Sequence, residues 1–234
     1  MADSKGMVNL FTVLVTLAYA GVIFRNYWSR RATYKLIWGI GMLLFALASA
    51  MEGAYYAWGW NDFAVRLWYL CGAVLVAAWL GQGSVHLLLA KRYAFTLLAV
   101  LLLGSVYATI KVFGTGLDPT AVTDGQLSGA PFEKGVRLLT PFFNSYGTVA
   151  LAGGALYSAW TFWRNKIMFN RMVGSFLIAV GAMVIASGGT LSRFGLTEFL
   201  SLTELLAGLL MFVGFLFTIR REKHSRVASL DGAN

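Results

Sequence analysis

Two glutamates stand inside long apolar stretches of this chain, and each has polar neighbours at helical spacing. Glu52 follows Ser49 by three residues and precedes Tyr56 by four, and Glu204 follows Ser201 by three. Residues three or four apart share one face of a helix. Because a carboxylate in hydrocarbon is costly, acids in such stretches face the protein interior and mark functional sites. We predict that Glu52 and Glu204 line one shared polar pocket.

Two further side chains complete the predicted pocket. Tyr69 lies in the third apolar stretch, and Asn144 shares a face of the fifth with Thr140 and Gly147. The predicted ligand-binding residues are Glu52, Tyr56, Tyr69, Asn144, Ser201 and Glu204. A few convergent carboxyl, amide and hydroxyl groups among apolar walls are typical of a small-molecule site.

A purely structural role for the two acids stays open at this point. Both can hydrogen-bond neighbouring helices, or one can be held protonated, without any ligand. Arg193 closes the sixth stretch, close enough in sequence to pair with Glu198 or to reach toward Glu204.

A second polar face lies on the third stretch. Trp79, Gln82 and His86 fall at i, i+3 and i+7 and therefore share one side of a helix. His86 also stands five residues before Lys91, so it can simply reach the membrane interface. With His224 as the only other histidine, no bis-histidine haem, metal-ligand set or Ser-His-Asp arrangement is predicted. We therefore expect no enzyme activity, no metal and no cofactor.

Seven apolar stretches must position these residues. Hydrophobic residues make up 58% of the 234 residues and charged ones only 12%, which excludes an ordinary soluble domain. A spanning helix needs roughly 20 mostly apolar residues. The predicted spans cover residues 7–24, 35–57, 63–90, 94–113, 138–163, 171–194 and 197–219. The fold class is therefore an all-α, polytopic, seven-transmembrane-helix bundle.

Basic residues set the expected orientation. Lys and Arg concentrate in alternate connections, at 25–35, 91–92, 164–171 and 220–226. Short loops rich in these residues stay cytoplasmic, so the N-terminus is expected outside and the 220–234 tail inside. The first span is expected to stay uncleaved, because its apolar run continues past Ala20 to Arg25. The net charge of +9 then reflects a basic cytoplasmic face beside anionic lipid headgroups, and no nucleic-acid partner is expected.

Other features have modest roles. The external 114–137 connection is rich in Gly and Pro and could cap the outer mouth of the bundle. Cys71 is the only cysteine, so no intramolecular disulfide is possible. Small residues line one face of the fifth and sixth spans and predict close helix packing. They are Gly147, Ala150, Gly154 and Ser158, then Gly174, Gly181, Gly188 and Ser192.

A covalently bound retinal is not expected. Retinal proteins hold the chromophore through a lysine in the last helix. The seventh span, 197–219, contains no lysine, and Lys111 stands at the edge of the fourth. A non-covalent apolar ligand remains compatible with the sequence.

The second and third spans resemble a known family. The segments 38–45 and 66–72, with Glu52 between them, resemble the N-terminal seven-helix sensory region of bacterial histidine kinases. Residues 138–144 and the glycine-rich sixth span are similar to uncharacterised stand-alone bacterial seven-helix proteins. The resemblance implies a sensory or ligand-binding role in a bacterial inner membrane.

Three hypotheses follow. The first is a stand-alone seven-helix membrane sensor, receptor-like, that holds a small, largely apolar ligand in the outer half of the bundle. The second is a transporter or a proton or cation pathway that uses Glu52 and Glu204. The third is a non-catalytic subunit that packs against membrane or cytoplasmic protein partners. The lipid bilayer is a partner in all three.

Overall fold

The computed structural model describes residues 2–122, 127–166, 168–193 and 200–219, and almost all of them are helical. Described side chains are those of 5–29, 31–122, 127–166, 168–191 and 200–219. Seven helices follow one another in these ranges. They are α1 (Ala2–Arg30), α2 (Thr33–Trp58), α3 (Asp62–Leu88), α4 (Lys91–Gly114), α5 (139–164), α6 (Phe169–Arg193) and α7 (Leu200–Ile219).

Six of these helices are long and apolar enough to cross a membrane. They are α1 to α4, α6 and α7, with spans at Lys5–Ser29, Thr33–Trp58, Asp62–Leu88, Lys91–Gly114, Phe169–Leu191 and Leu200–Ile219. The prediction of an all-helical chain is confirmed for the described residues. α5 coincides with the predicted span 138–163 but is more polar, because Asn144, Ser145 and Tyr146 lie in its first half. The predicted tail 220–234 lies outside the described residues.

Short connections fix neighbouring helices in antiparallel pairs. α2 ends at Gly59, whose φ of +85° suits glycine because it has no Cβ. Asn61 then caps α3, since its side-chain oxygen accepts a hydrogen bond from the Ala64 N–H at 3.0 Å. The chain therefore reverses direction within three residues.

Six helices form a closed circle, and the seventh lies outside it. α1 packs between α2 and α7, α2 packs on α3, α3 on α5, α5 on α6, and α6 on α7. The main apolar core draws its buried side chains from these six helices. α4 packs chiefly against α3 and leaves most of its own surface exposed. The interior of the circle is therefore where a site between helices can form.

Glycines bring two pairs of helices into backbone contact, as the small-residue stripes predicted. A Cβ added to Gly81 of α3 would lie 2.8 Å from the Gly147 carbonyl oxygen of α5, and one at Gly147 would collide with the backbone of Ala77. At the α6–α7 crossing, a Cβ at Gly214 would lie 2.6 Å from the Gly174 carbonyl oxygen. In lipid, where apolar burial gives little drive, such close approach holds helices together.

Both helices of the α3–α5 crossing contain a π-helical stretch. These are Tyr69–Leu75 in α3 and Val149–Gly153 in α5. A π stretch widens the helix locally and shifts the register of the side chains that follow it. Tyr69 lies at the start of the stretch in α3, so the register shift applies to the residues of α3 that follow it.

The connection between α4 and α5 folds back over one end of the bundle, which we call the loop end. Phe132 of this connection is buried and stacks on Tyr69, with ring centroids 4.2 Å apart. Leu127 is buried in the same cluster. A bridge between Leu117 and Phe132 closes the base of the connection. The described part of the connection thus caps the helices at the loop end.

Candidate functional site

Two serines and two glutamates form reciprocal hydrogen bonds between α2 and α7 near the loop end. Ser201 of α7 donates to the Oε1 atom of Glu52 at 2.6 Å. Ser49 of α2 donates to the Oε2 atom of Glu204 at 3.4 Å. The earlier residue on each helix pairs with the later residue on the other, as antiparallel helices require. The serine of each Ser-x-x-Glu segment therefore donates a hydrogen bond to the glutamate of the other segment.

Both acids are enclosed by protein. The exposed fraction of the side chain is 1% for Glu52 and 9% for Glu204. The indole N–H of Trp68 donates to the second carboxyl oxygen of Glu52 at 3.3 Å. The two acids are also close enough to interact electrostatically with each other. Glu52 and Glu204 therefore lie in one enclosed polar environment between α2 and α7.

α1 contributes a residue that the sequence analysis missed. Asn9 is fully buried, and Gly53 of α2 packs against its Cβ. The Asn9 side chain interacts with the Glu52 carboxyl group, and its amide oxygen has no hydrogen-bond partner among the described residues. Asn9, Thr12 and Thr16 fall at i, i+3 and i+7, and all three are buried. That polar stripe within an apolar span is the signal that could have found Asn9.

We call Asn9, Ser49, Glu52, Ser201 and Glu204 the carboxyl cluster. Tyr56 covers it toward the loop end, where it interacts with both acids and with the backbone of Leu127. The Lys5 ammonium lies 5.4 Å from the centre of the Tyr56 ring and attracts Glu52. The cluster is thus bounded by one aromatic ring and one cation on its loop side.

The two remaining predicted residues, Tyr69 of α3 and Asn144 of α5, are not part of the carboxyl cluster. The Tyr69 hydroxyl is 2.8 Å from the Thr140 hydroxyl of α5, and its ring lies 6.1 Å from that of Trp68. The Asn144 side-chain oxygen is buried without a partner among the described residues. Tyr69 therefore borders the carboxyl cluster through Trp68. The predicted approach of Arg193 to Glu198 or Glu204 involves side chains outside the described set.

The second predicted polar face, which comprises Trp79, Gln82 and His86 of α3, contacts α4 and holds it against the circle of helices. The Gln82 amide donates to the Ala94 carbonyl oxygen at 2.9 Å, and the Tyr146 hydroxyl donates to Gln82. Trp79 donates to the Ser105 hydroxyl of α4 at 3.3 Å, and Arg66 donates to the Val112 carbonyl oxygen. These bonds are spaced along the length of α4, so this face has a structural role.

His86 is held within the same network. Its Nδ1 atom lies 3.0 Å from the Gln82 amide nitrogen. Its ring packs edge-to-face with that of Phe95, with the two ring centroids 5.2 Å apart. The Nε2 atom is buried and has no partner among the described residues. His86 therefore packs between α3 and α4, which differs from the expectation that it simply reaches the interface.

No group of three or more His, Cys, Asp or Glu side chains that could hold a metal ion occurs in the described part of the chain. The carboxyl cluster does not form such a group, because it contains only two carboxyl groups. Its other oxygen atoms come from one amide and two hydroxyl groups. In comparisons with known proteins, no family model, no curated protein and no solved structure matches this chain.

Proposed function

We propose that this protein is a multi-pass membrane sensor or binding protein that holds a small ligand at the carboxyl cluster. The observation that carries the proposal is the enclosure of Glu52 and Glu204 beside Asn9, whose amide oxygen has no hydrogen-bond partner among the described residues. Ionisable groups inside a membrane bundle are costly and serve function by default.

Stability alone is a weak reason to place two acids here. Each buried carboxyl loses hydration, and two like charges at close range repel each other. Apolar side chains of similar volume would hold α2 and α7 together at no such cost. A subunit that only supplies packing surface also needs its special residues on the outside, whereas these acids face the interior.

An apolar layer separates the cluster from the opposite end of the bundle. Tyr19 of α1, Phe45 of α2, and Met211 and Phe215 of α7 are buried in one core about two helical turns deeper than the acids. The Tyr19 and Phe215 rings lie 5.3 Å apart within it. A pathway through the membrane would have to open this layer. The closed layer favours binding and sensing over conduction.

The lining defines the ligand that fits. A largely apolar ligand would leave the charge of the carboxyl groups uncompensated and the Asn9 oxygen without a hydrogen bond, and both cost free energy in a buried site. A ligand that carries positive charge, or that donates hydrogen bonds, would satisfy them. We therefore propose a ligand with a small cationic or donor group at the acids, with the aromatic rings of Tyr56 and Trp68 beside it.

The proposed topology has seven spans, with the loop end outside and the tail in the cytoplasm. α5 supplies the seventh span because it packs between α3 and α6 in the circle of spanning helices. Lys and Arg at 25–35, 91–92 and 164–171 lie at the end away from the loop, as the positive-inside rule requires. A bacterial inner membrane is the proposed location, consistent with the resemblance of α2 and α3 to histidine kinase sensory regions.

Native mass spectrometry of the protein purified in mild detergent tests the proposal. We expect a bound small molecule or ion on the wild-type chain that is lost in Glu204→Gln. Glu133→Gln is the matched control, because Glu133 is an exposed acid of the connection at the same end. Glutamine can still accept the Ser49 hydrogen bond, so Glu204→Gln should fold. Identical spectra for all three chains, together with no effect of ions on stability, would contradict a binding role.

A further inference from the structure

We propose that the carboxyl cluster binds one monovalent metal cation in a cage of oxygen atoms from α1, α2 and α7. The inference rests on the proposed function, because the site is the same, and it names the ligand. No covalent step is involved.

The donor atoms suit a hard cation. The cluster offers carboxyl oxygens from Glu52 and Glu204, hydroxyl oxygens from Ser49 and Ser201, and an amide oxygen from Asn9. Hard cations in proteins take oxygen ligands of these types. Transition metals favour imidazole or thiolate ligands, and the cluster contains neither. The reciprocal hydrogen bonds of 2.6 and 3.4 Å already bring four of these groups together.

Asn9 gives an independent reason to place a ligand here. Its side chain is fully buried beside Glu52, and its amide oxygen lacks a hydrogen-bond partner among the described residues. A buried amide oxygen left without a partner destabilises the fold. A cation next to Glu52 would take the Asn9 oxygen as a ligand. The amide nitrogen would then be placed to donate to the carboxylate beside it.

Charge balance sets the valence. With both acids ionised, the cluster carries two formal negative charges, and Lys5 of α1, which attracts Glu52 from the loop side, brings the formal charge of the group to −1. The described neighbours Tyr56 of α2 and Trp68 of α3 are neutral, and the side chains of Arg193 and Glu198 are outside the described set. One negative charge remains in a low-dielectric site, where an unbalanced charge is costly. One monovalent cation neutralises it, whereas a divalent ion would leave a positive excess.

A single proton would balance the charge equally well but would satisfy fewer groups. It would bind one carboxyl oxygen and leave the Asn9 oxygen without a partner. A cation coordinates several oxygens at once, including the one that Asn9 supplies. The geometry therefore favours a metal cation over a proton.

Thermal unfolding of the full-length protein in detergent provides the test. The protein is purified in choline chloride without sodium, and NaCl, KCl or LiCl then replaces choline at constant ionic strength. We expect a saturable rise in the unfolding temperature with at least one of these ions. When the ion exceeds its dissociation constant about 100-fold, the rise should be on the order of 5 °C. Binding of radioactive sodium should saturate at one ion per chain if sodium is the ion that fits.

Variants assign the effect to the cluster. Glu52→Gln and Glu204→Gln each remove the excess negative charge and should abolish the rise. Asn9→Ala removes one oxygen ligand and should weaken apparent affinity about 10-fold or more. Glu133→Gln changes the charge of the same end outside the cluster and should keep the full response.

Three results would contradict the proposal that the cluster binds a metal cation. The first is that the wild-type chain unfolds at the same temperature in choline chloride, NaCl, KCl and LiCl. This result can be interpreted without any variant. Another is an undiminished response in the Glu52→Gln/Glu204→Gln double variant. The third is stabilisation by acid alone, which would make a proton the occupant. If the first result is accompanied by an organic ligand that is lost in Glu204→Gln, the cation proposal fails and the proposed function stays intact.

Discussion

Ser201 of α7 donates a 2.6 Å hydrogen bond to Glu52 of α2. Because Ser201 stands one helical turn before Glu204, this bond places both acids in one enclosed space between antiparallel helices. The matching bond from Ser49 to Glu204 is longer, at 3.4 Å. The two helices are thus joined by a pair of similar but unequal contacts.

The inequality predicts different costs for the two serines. Ser201→Ala leaves a buried carboxyl oxygen without its close donor and should lower the free energy of unfolding by about 1–3 kcal/mol. Ser49→Ala removes a long, weaker bond and should cost less. Chemical denaturation in detergent measures both variants, and an equal loss for the two would contradict the geometry.

The α3–α5 crossing predicts a contrast between two glycines of the same helix. Gly147→Ala forces a Cβ into the backbone of Ala77 and should destabilise the fold strongly or prevent accumulation of the protein. Gly153→Ala meets nothing within 4 Å and should be neutral or stabilising by up to about 1 kcal/mol. Thermal unfolding of both variants measures the difference, and similar effects at the two positions would argue against this crossing.

The attachment of α4 predicts a local effect. Gln82→Leu leaves the Tyr146 hydroxyl and the Ala94 carbonyl oxygen without their partner, so α4 should separate from α3 more readily. Hydrogen exchange should accelerate in 91–114 by more than in α1 or α7. The control is Thr109→Val, since the Thr109 hydroxyl is exposed and bonds within its own helix. Uniform acceleration throughout the bundle would contradict a role confined to α4.

Much of the fold follows from the sequence because long apolar stretches leave few alternatives to membrane helices. The burial of Glu52 and Glu204 in shared surroundings also follows, since each has a serine three residues earlier on the same face. The reciprocal pairing does not follow from the sequence. It depends on how far α7 is shifted along its axis relative to α2, and the spacing of residues within each helix does not determine that shift. Asn9 was missed because its stripe continues through Thr12 and Thr16, which ordinarily bond within their own helix.

The position of α4 was equally out of reach of sequence analysis. Its composition is as apolar as that of the helices within the circle, and nothing in its spacing marks it as peripheral. The fixing contacts come from Gln82, Trp79 and Arg66 of α3, whose partners on α4 include two backbone carbonyl oxygens. Backbone acceptors are present in every residue and therefore leave no sequence signal.

Reporter fusions test the proposed topology. A reporter active only in the cytoplasm should work when fused after Asn234 and fail when inserted after Gly125, because basic residues favour the opposite end of the bundle as the inner one. A second reporter active only outside the cytoplasm should show the reverse pattern. Cytoplasmic activity after Gly125, or its loss after Asn234, would contradict seven spans with the loop end outside.

The central claim is that Glu52 and Glu204 occupy one enclosed cluster, and a double-mutant cycle tests it most directly. The free energy of unfolding is measured in sodium-free choline buffer for the wild-type chain, Glu52→Gln, Glu204→Gln and the double variant. Since either change removes the same electrostatic interaction, the two effects should not add, and the coupling free energy should be about 0.5–3 kcal/mol. Additivity within about 0.3–0.5 kcal/mol would mean that the acids act independently, and it would contradict the shared cluster.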